Sequence, residues 1–197
     1  MFCFRFLIFG ILISCFLVAC SLFETRKHED PDGNNSLFVP PTTPDIVIDN
    51  FIEAVRSKNA DNYNSCFAQA NYLFIPSSDA AAKFPSLFEN WQTNNERSYL
   101  LALATALGRS NDIHLVFEKR SFETISSDSA ILITNYYLNY NLQNTAFPTQ
   151  YEGRAAFTLI PVQGGLWAIS RWQDYAIASS NDSTYETWSN LKAYFYN

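Results

Sequence analysis

The sequence predicts an α+β domain in which N-terminal helices pack on a four-stranded antiparallel sheet and a C-terminal helix ends the chain. Three observations carry this expectation. Apolar residues recur at helical spacing as far as Gly108 and alternate with polar ones after it. The alternating stretches follow one another as hairpin-linked strands, which suits an antiparallel sheet. Helical spacing then returns in the last stretch, STYETWSNLKAYFYN.

Each element has its own local signature. Thr43 suits an N-cap, Pro44 the first helical position and Asp45 the positive end of the helix dipole. Val47, Phe51 and Val55, with Ile48 and Ile52, then form one apolar stripe. A turn over residues 58–61 leads to a short second helix in ADNYNSCFA, and NYLFIPSS reads as an extended piece ended by Pro76. One or two helical turns follow over residues 84–91. Asn94 or Asn95 can cap the helix ERSYLLALATAL, with Gly108 as its stop. Four strands are expected in IHLVFEKRSFETI, SDSAILITNYYLNYNL, QYEGRAAFTLIPV and LWAISRWQDYA, the last two joined at Gln163, Gly164 and Gly165. In the final helix Tyr185, Trp188, Leu191 and Phe195 share a face. There is no internal repeat.

The N-terminal end is of another kind. Arg5 precedes an apolar run from Phe6 to Cys20, with Arg26 and Lys27 beyond it. The run is shorter than the roughly 20 residues that a helix needs to span a bilayer, and its layout is that of a secretory signal. It ends in Leu17-Val18-Ala19-Cys20, which resembles the lipobox of bacterial lipoproteins. The resemblance implies cleavage between Ala19 and Cys20, a diacylglyceryl thioether on Cys20 and an acylated new amino terminus. Several acyl chains make a durable anchor where one would not. Residues 1–19 are thus read as a signal peptide, 20–43 as a lipidated, polar, Pro-containing tether and 44–197 as one domain. Ser21, not Asp, follows the anchor, which points to the outer membrane of the cell envelope.

Composition narrows the function. About 178 residues remain after cleavage, enough for a single core. The whole chain carries a formal charge of −6, and loss of Arg5 with the signal makes it −7; with no Lys/Arg cluster, this argues against a nucleic-acid partner. Cys3 and Cys15 leave with the signal and Cys20 is the anchor, so Cys66 stays unpaired and no intrachain disulfide is expected. Two histidines, His28 and His114, and one thiol make no transition-metal set. Asp30, Asp32 and Asn34 alternate as in a calcium loop, but the required glutamate position holds Pro41. No phosphate loop, paired-cysteine motif or serine elbow occurs, so neither a metal nor a cofactor is expected.

A long helix, a short one carrying NYNSCFA, the piece NYLFIPS, a helical segment with Trp91 and Glu96, and strands finishing in GGLWAISRWQDY follow in order. This order resembles the nuclear transport factor 2-like superfamily over roughly residues 44–177. The resemblance implies a curved sheet wrapped as a cone around helices. The terminal TWSNLKAYF resembles an extension associated with lipidated members. The superfamily contains ketosteroid isomerase, polyketide cyclases and scytalone dehydratase together with noncatalytic binding and assembly modules, so activity must be argued from the site.

For the isomerase type the resemblance implies an Asp base facing a Tyr and a protonated acid. Tyr63 is the candidate donor and Asp174 the candidate base at the cone mouth, while His114 is the candidate for dehydratase-like chemistry. Strict alternation puts Leu166, Ala168, Ser170, Trp172 and Asp174 on one face of the last strand. Arg154 and Arg171 would suit a carboxylate ligand, and Tyr136, Tyr140 and Trp172 a ligand wall. Plain readings are preferred for each: a capping or ion-paired Asp174, arginines paired with Glu152 or Glu118, an ordinary strand-end His114, aromatics in the core or a dimer face, and Cys66 as a small buried hydrophobe. The expected function is therefore a lipid-anchored, noncatalytic module binding a small apolar ligand or a protein partner, with a homodimer through the sheet as one arrangement. The alternatives are a small isomerase or dehydratase in the cone, and a structural partner in an envelope assembly.

Overall fold

A computed structural model describes residues 38–142, 146–177 and 185–196. The signal, Ala19, Cys20 and most of the tether lie outside them. No helix among the described residues is long and apolar enough to cross a membrane.

Helix α1 (Pro44–Arg56) begins at the expected proline, although the Thr43 side chain makes no capping bond. Its stripe of Val47, Ile48, Phe51 and Val55 is buried, and Phe51 stands at the centre of the core. Six aromatic rings, from Tyr63, Phe67, Phe117, Phe157, Trp172 and Trp188, surround it at centroid distances of 5.2–6.1 Å. Such pairs add about 0.5–1.5 kcal/mol each beyond the area they bury. Helix α2 (Ala60–Ser65) is capped by Asn59, whose side chain accepts from the Asn62 amide. Cys66 at its end is buried, as expected, and burial pushes its thiol up. Strand β1 (Leu73–Ile75) is the FIP piece. Helix α3 occupies Ser78–Lys83, earlier in the chain than the helical turns expected over residues 84–91. Helix α4 (Thr93–Leu107) starts with the Gln92 amide donating to Asn95 Oδ1 and stops at Gly108, whose φ of +64° is a conformation glycine adopts freely.

The sheet has six strands, not four. They are β1, β2 (Ile113–Glu118), β3 (Phe122–Ile125), β4 (Ala130–Tyr140), β5 (Gln150–Val162) and β6 (Leu166–Tyr175). Their order is β1-β6-β5-β4-β2, with β3 paired to β4 beyond the end of β2. Two local causes explain the difference. Lys119 takes a φ of +50°, which breaks the expected strand over residues 113–125 into β2 and β3. The FIP piece pairs with β6 in parallel, so the sheet is mixed at that edge.

Alternation on β4 turns Leu132, Thr134, Tyr136, Leu138 and Tyr140 inward. On β6 it is interrupted by one extra residue. Arg171 pairs with Thr158 and Ile169 with Leu159, leaving Ser170 as a bulge. Ile169, Trp172 and Asp174 consequently face the core, while Ser170 leaves the face that strict alternation assigns to it.

Helix α5 (Trp188–Tyr196) is the expected terminal helix, but it begins after Tyr185, which is exposed and does not share its buried face. Trp188, Ser189, Asn190, Leu191, Lys192, Ala193 and Phe195 are all buried, so the helix is enclosed on nearly every side. It packs against α3, α4 and β5. The inner space between sheet and helices is filled by the chain's own C-terminal end.

Candidate functional site

Two carboxylates lie in that interior. Glu96 stands in the first turn of α4 with no exposed surface. Its Oε1 accepts from the Tyr72 hydroxyl at 2.7 Å, Trp91 Nε1 at 2.8 Å and Lys192 Nζ at 2.5 Å. Its Oε2 accepts from the Tyr63 hydroxyl at 2.8 Å. The tyrosines reach it from α2 and the entry to β1, Trp91 from the turn before α4, and Lys192 from α5. Burial and then the Glu96 charge hold the Tyr63 and Tyr72 hydroxyls well above their ordinary range, so both act as neutral donors.

Lys192 is itself fully buried. Its ammonium nitrogen lies 3.4 Å from the Phe74 ring centre and 3.5 Å from that of Trp172. These rings are set at 81° to one another, so the cation sits in the corner between them. A desolvated cation on an aromatic face gains about 2 kcal/mol or more. Burial lowers the Lys192 pKa to about 8, against the opposing pull of Glu96 and, further off, Asp174.

Asp174 is held by neutral donors alone. The Ser189 amide and hydroxyl donate to its Oδ2 at 2.7 and 2.6 Å, and the Tyr136 hydroxyl to its Oδ1 at 2.8 Å. Tyr136 in turn accepts from the Trp188 amide at 2.7 Å, which satisfies the hydroxyl on both sides. The free amides that begin α5 thus end on an aspartate and a tyrosine of the sheet. Gly153, paired opposite Tyr136, makes this crossing feasible, because a Cβ there would collide with the Tyr136 hydroxyl. Burial raises the Asp174 pKa, and the bonds from Ser189 and Tyr136 oppose the rise. Thr187 completes the start of α5: its amide and hydroxyl donate to Asn190 Oδ1, and its Oγ1 shares a hydrogen bond with Ser77.

Of the residues singled out in the sequence, Tyr63, Tyr136, Tyr140, Trp172 and Asp174 are buried; Tyr63 touches Glu96, Tyr136 touches Asp174 and Trp172 touches Lys192, whereas the Tyr140 hydroxyl lies with Pro148. His114 and Arg154 do not join them. Both point outward, on the face opposite the core. Arg154 donates to Asn135 and Arg171 to Gln173, in place of ion pairs with Glu118 or Glu152. Tyr140 and Tyr151 both donate to the Pro148 carbonyl, at 2.9 and 2.7 Å. Sequence reasoning did not select Lys192, Glu96, Tyr72 or Ser189 as site residues. Lys192 had a signal: it is a lone charge on the same helical stripe as Trp188 and Phe195.

Chemically, the interior provides carboxylates and tyrosines in hydrogen-bond contact, but each is saturated by the chain itself. Three cavities among the described residues lie elsewhere. One is lined by Ile133, Asn135, Arg154 and Tyr175, one by residues of α1 and β2, and one by His114, Asn139 and Tyr140. Among the described residues no three His, Cys, Asp or Glu side chains come together as metal ligands.

No family model matches the chain, and no curated protein matches it. Solved structures do. A nuclear transport factor 2-like superfamily protein from Salmonella enterica aligns with a TM-score of 0.50 at 8% identity, over 70% of this chain and 92% of that one. A ketosteroid isomerase-like protein from Erwinia carotovora aligns with a TM-score of 0.50 at 12% identity, over 68% of this chain and 94% of that one. At these identities the likeness is one of fold: the domain has the nuclear transport factor 2-like fold.

Proposed function

We propose that the chain is a lipid-anchored protein of the bacterial cell envelope whose domain is a noncatalytic interaction module, engaging a protein partner through its outer surface. The observation that carries this reading is the filled interior, where α5 occupies the space in which a cone-type domain would hold a small ligand. A small apolar ligand in the cone is correspondingly the weaker reading. The outer sheet face supports a protein partner. Val116 is exposed, and Ile131, Ile133, Tyr137 and Ile160 are half-buried. On the same face Arg154 and Arg171 stand alongside Glu118 and Glu152, and no ion pair among the described residues joins them. Both signs on one face allow a second copy to pair them by two-fold symmetry, which makes the homodimer through the sheet the preferred arrangement.

The anchor and the interface are tested separately. Cells fed an alkyne fatty acid should label the wild-type protein and not Cys20→Ala, and the variant should leave the membrane fraction. Labelling of Cys20→Ala would remove the anchor from this reading. For the interface, Ile133→Glu should halve the mass measured by light scattering with an unchanged melting temperature. A monomeric wild-type protein would instead direct the search to a different partner.

The isomerase-like alternative draws on the Tyr136–Asp174 contact. Both groups are spent on the start of α5, so catalysis there would require the helix to leave.

A further inference from the structure

We propose that the interior is a built binding site for a primary ammonium ion, and that Lys192 is its resident occupant. This inference rests on the reading of the cone as filled, and adds what chemistry fills it. Every group that surrounds the cation comes from outside α5. Phe74 is on β1, Trp91 precedes α4, Glu96 and Tyr99 are on α4, and Trp172 is on β6. The nitrogen meets two ring faces at 3.4 and 3.5 Å and a carboxylate oxygen at 2.5 Å, with the Trp91 and Tyr99 rings behind at 5.7 Å. A buried ion pair needs only the carboxylate. Ring faces on two sides and an anion on a third form the geometry that recognises alkylammonium ions.

A second observation points the same way. The Trp172 indole N–H is buried and has no hydrogen-bond partner among the described residues. An orphaned donor is costly, and here the cost accompanies a ring placed face-on to the cation. The position of Trp172 is set by what its π-face does, not by its polar atom. Helix α5 therefore acts as an intramolecular ligand: it carries the ammonium, and the rest of the domain supplies the receptor.

Chemical complementation tests this. Lys192→Ala in the full chain removes the atoms of n-propylammonium and leaves the ring faces and Glu96 in place. Thermal unfolding of that variant should rise saturably with n-propylammonium chloride. Equal potassium chloride, 1-propanol or tetramethylammonium should not reproduce the rise. The wild type and Lys192→Met, whose side chain fills the same space, should show only the salt response. In Glu96→Gln/Lys192→Ala the apparent affinity for propylammonium should fall about tenfold or more, the usual worth of a charge-assisted bond.

The proposal is overturned if propylammonium acts on Lys192→Ala no differently from potassium chloride or 1-propanol, or if Lys192→Met responds equally. Where Lys192→Ala does not fold alone, refolding from urea is followed with the same additives. Recovery with propylammonium alone supports the site, and no recovery under conditions in which Lys192→Met refolds overturns it. None of these measurements involves the membrane or a partner, so their failure is separable from failure of the proposed function.

Discussion

Glu96 and Asp174 share one interior and are equally shielded from water, yet the chain neutralises them by different means. Glu96 receives a full cation, Lys192, along with three neutral donors. Asp174 receives only neutral donors, two of them from the first turn of α5, and its pKa is raised. The first carboxylate balances a charge at the middle of α5, while the second fastens its beginning. Together they explain how a helix this short stays in the core: its backbone ends on Asp174 and Tyr136, and its one charged side chain ends on Glu96.

The comparison makes unequal predictions. Removing the charge of Glu96 while keeping its shape leaves a buried ammonium without a counter-ion, so Glu96→Gln should destabilise the domain by ~3–5 kcal/mol in urea unfolding. Glu96→Gln/Lys192→Met should regain most of that loss. Asp174→Asn keeps one acceptor and loses no cation, so a smaller loss of ~1–3 kcal/mol is expected. Equal losses for the two single variants would erase the distinction. Gly153→Ala forces Tyr136 off Asp174 and should cost a comparable ~1–3 kcal/mol, with reduced protection of the Ser189 amide in hydrogen exchange.

The alkaline pH dependence is smaller. Burial holds the folded Lys192 pKa down to about 8, below its ordinary value of 10.5. Between those values the unfolded chain binds more protons than the folded one, so this residue makes stability rise with pH. Relative to Lys192→Met, the wild type should gain roughly 1 kcal/mol between pH 8 and 9.5; a flat difference would contradict the assignment. The smallest effect belongs to the surface. Arg120 and Asp49 form a partly exposed ion pair at 2.8 Å, and Arg120→Ala should change stability by no more than about 1 kcal/mol.

Much of the fold was legible because it rests on periodicity. The stripe of α1, the strands β4 to β6, Gly108 and the Gln163–Gly165 turn stand where the residues place them. What was not legible rests on single residues or on distant pairing. A left-handed Lys119 divides one strand into two, and a bulge at Ser170 moves Ile169 inward. The parallel seat of β1 on β6 joins residues about a hundred apart in sequence. The interior was half legible. Inward aromatics and Asp174 follow from alternation, but the Glu96–Lys192 pair joins residues on two helices that no spacing rule connects. A helix with an amphipathic stripe also suggests one buried face, whereas α5 is buried nearly all round, enclosed by α3, α4 and β5.

The central claim is that α5 is a permanent part of the core and not a lid over a pocket. Native-state hydrogen exchange of the Leu191, Lys192 and Ala193 amides tests it most directly. The structure predicts that they exchange only through global unfolding, with the same opening free energy as the amides of Phe157 and Leu159 in β5. Exchange of the α5 amides through a local opening several kcal/mol cheaper than that of β5 would contradict the account and return the cone to the ligand-binding or catalytic readings.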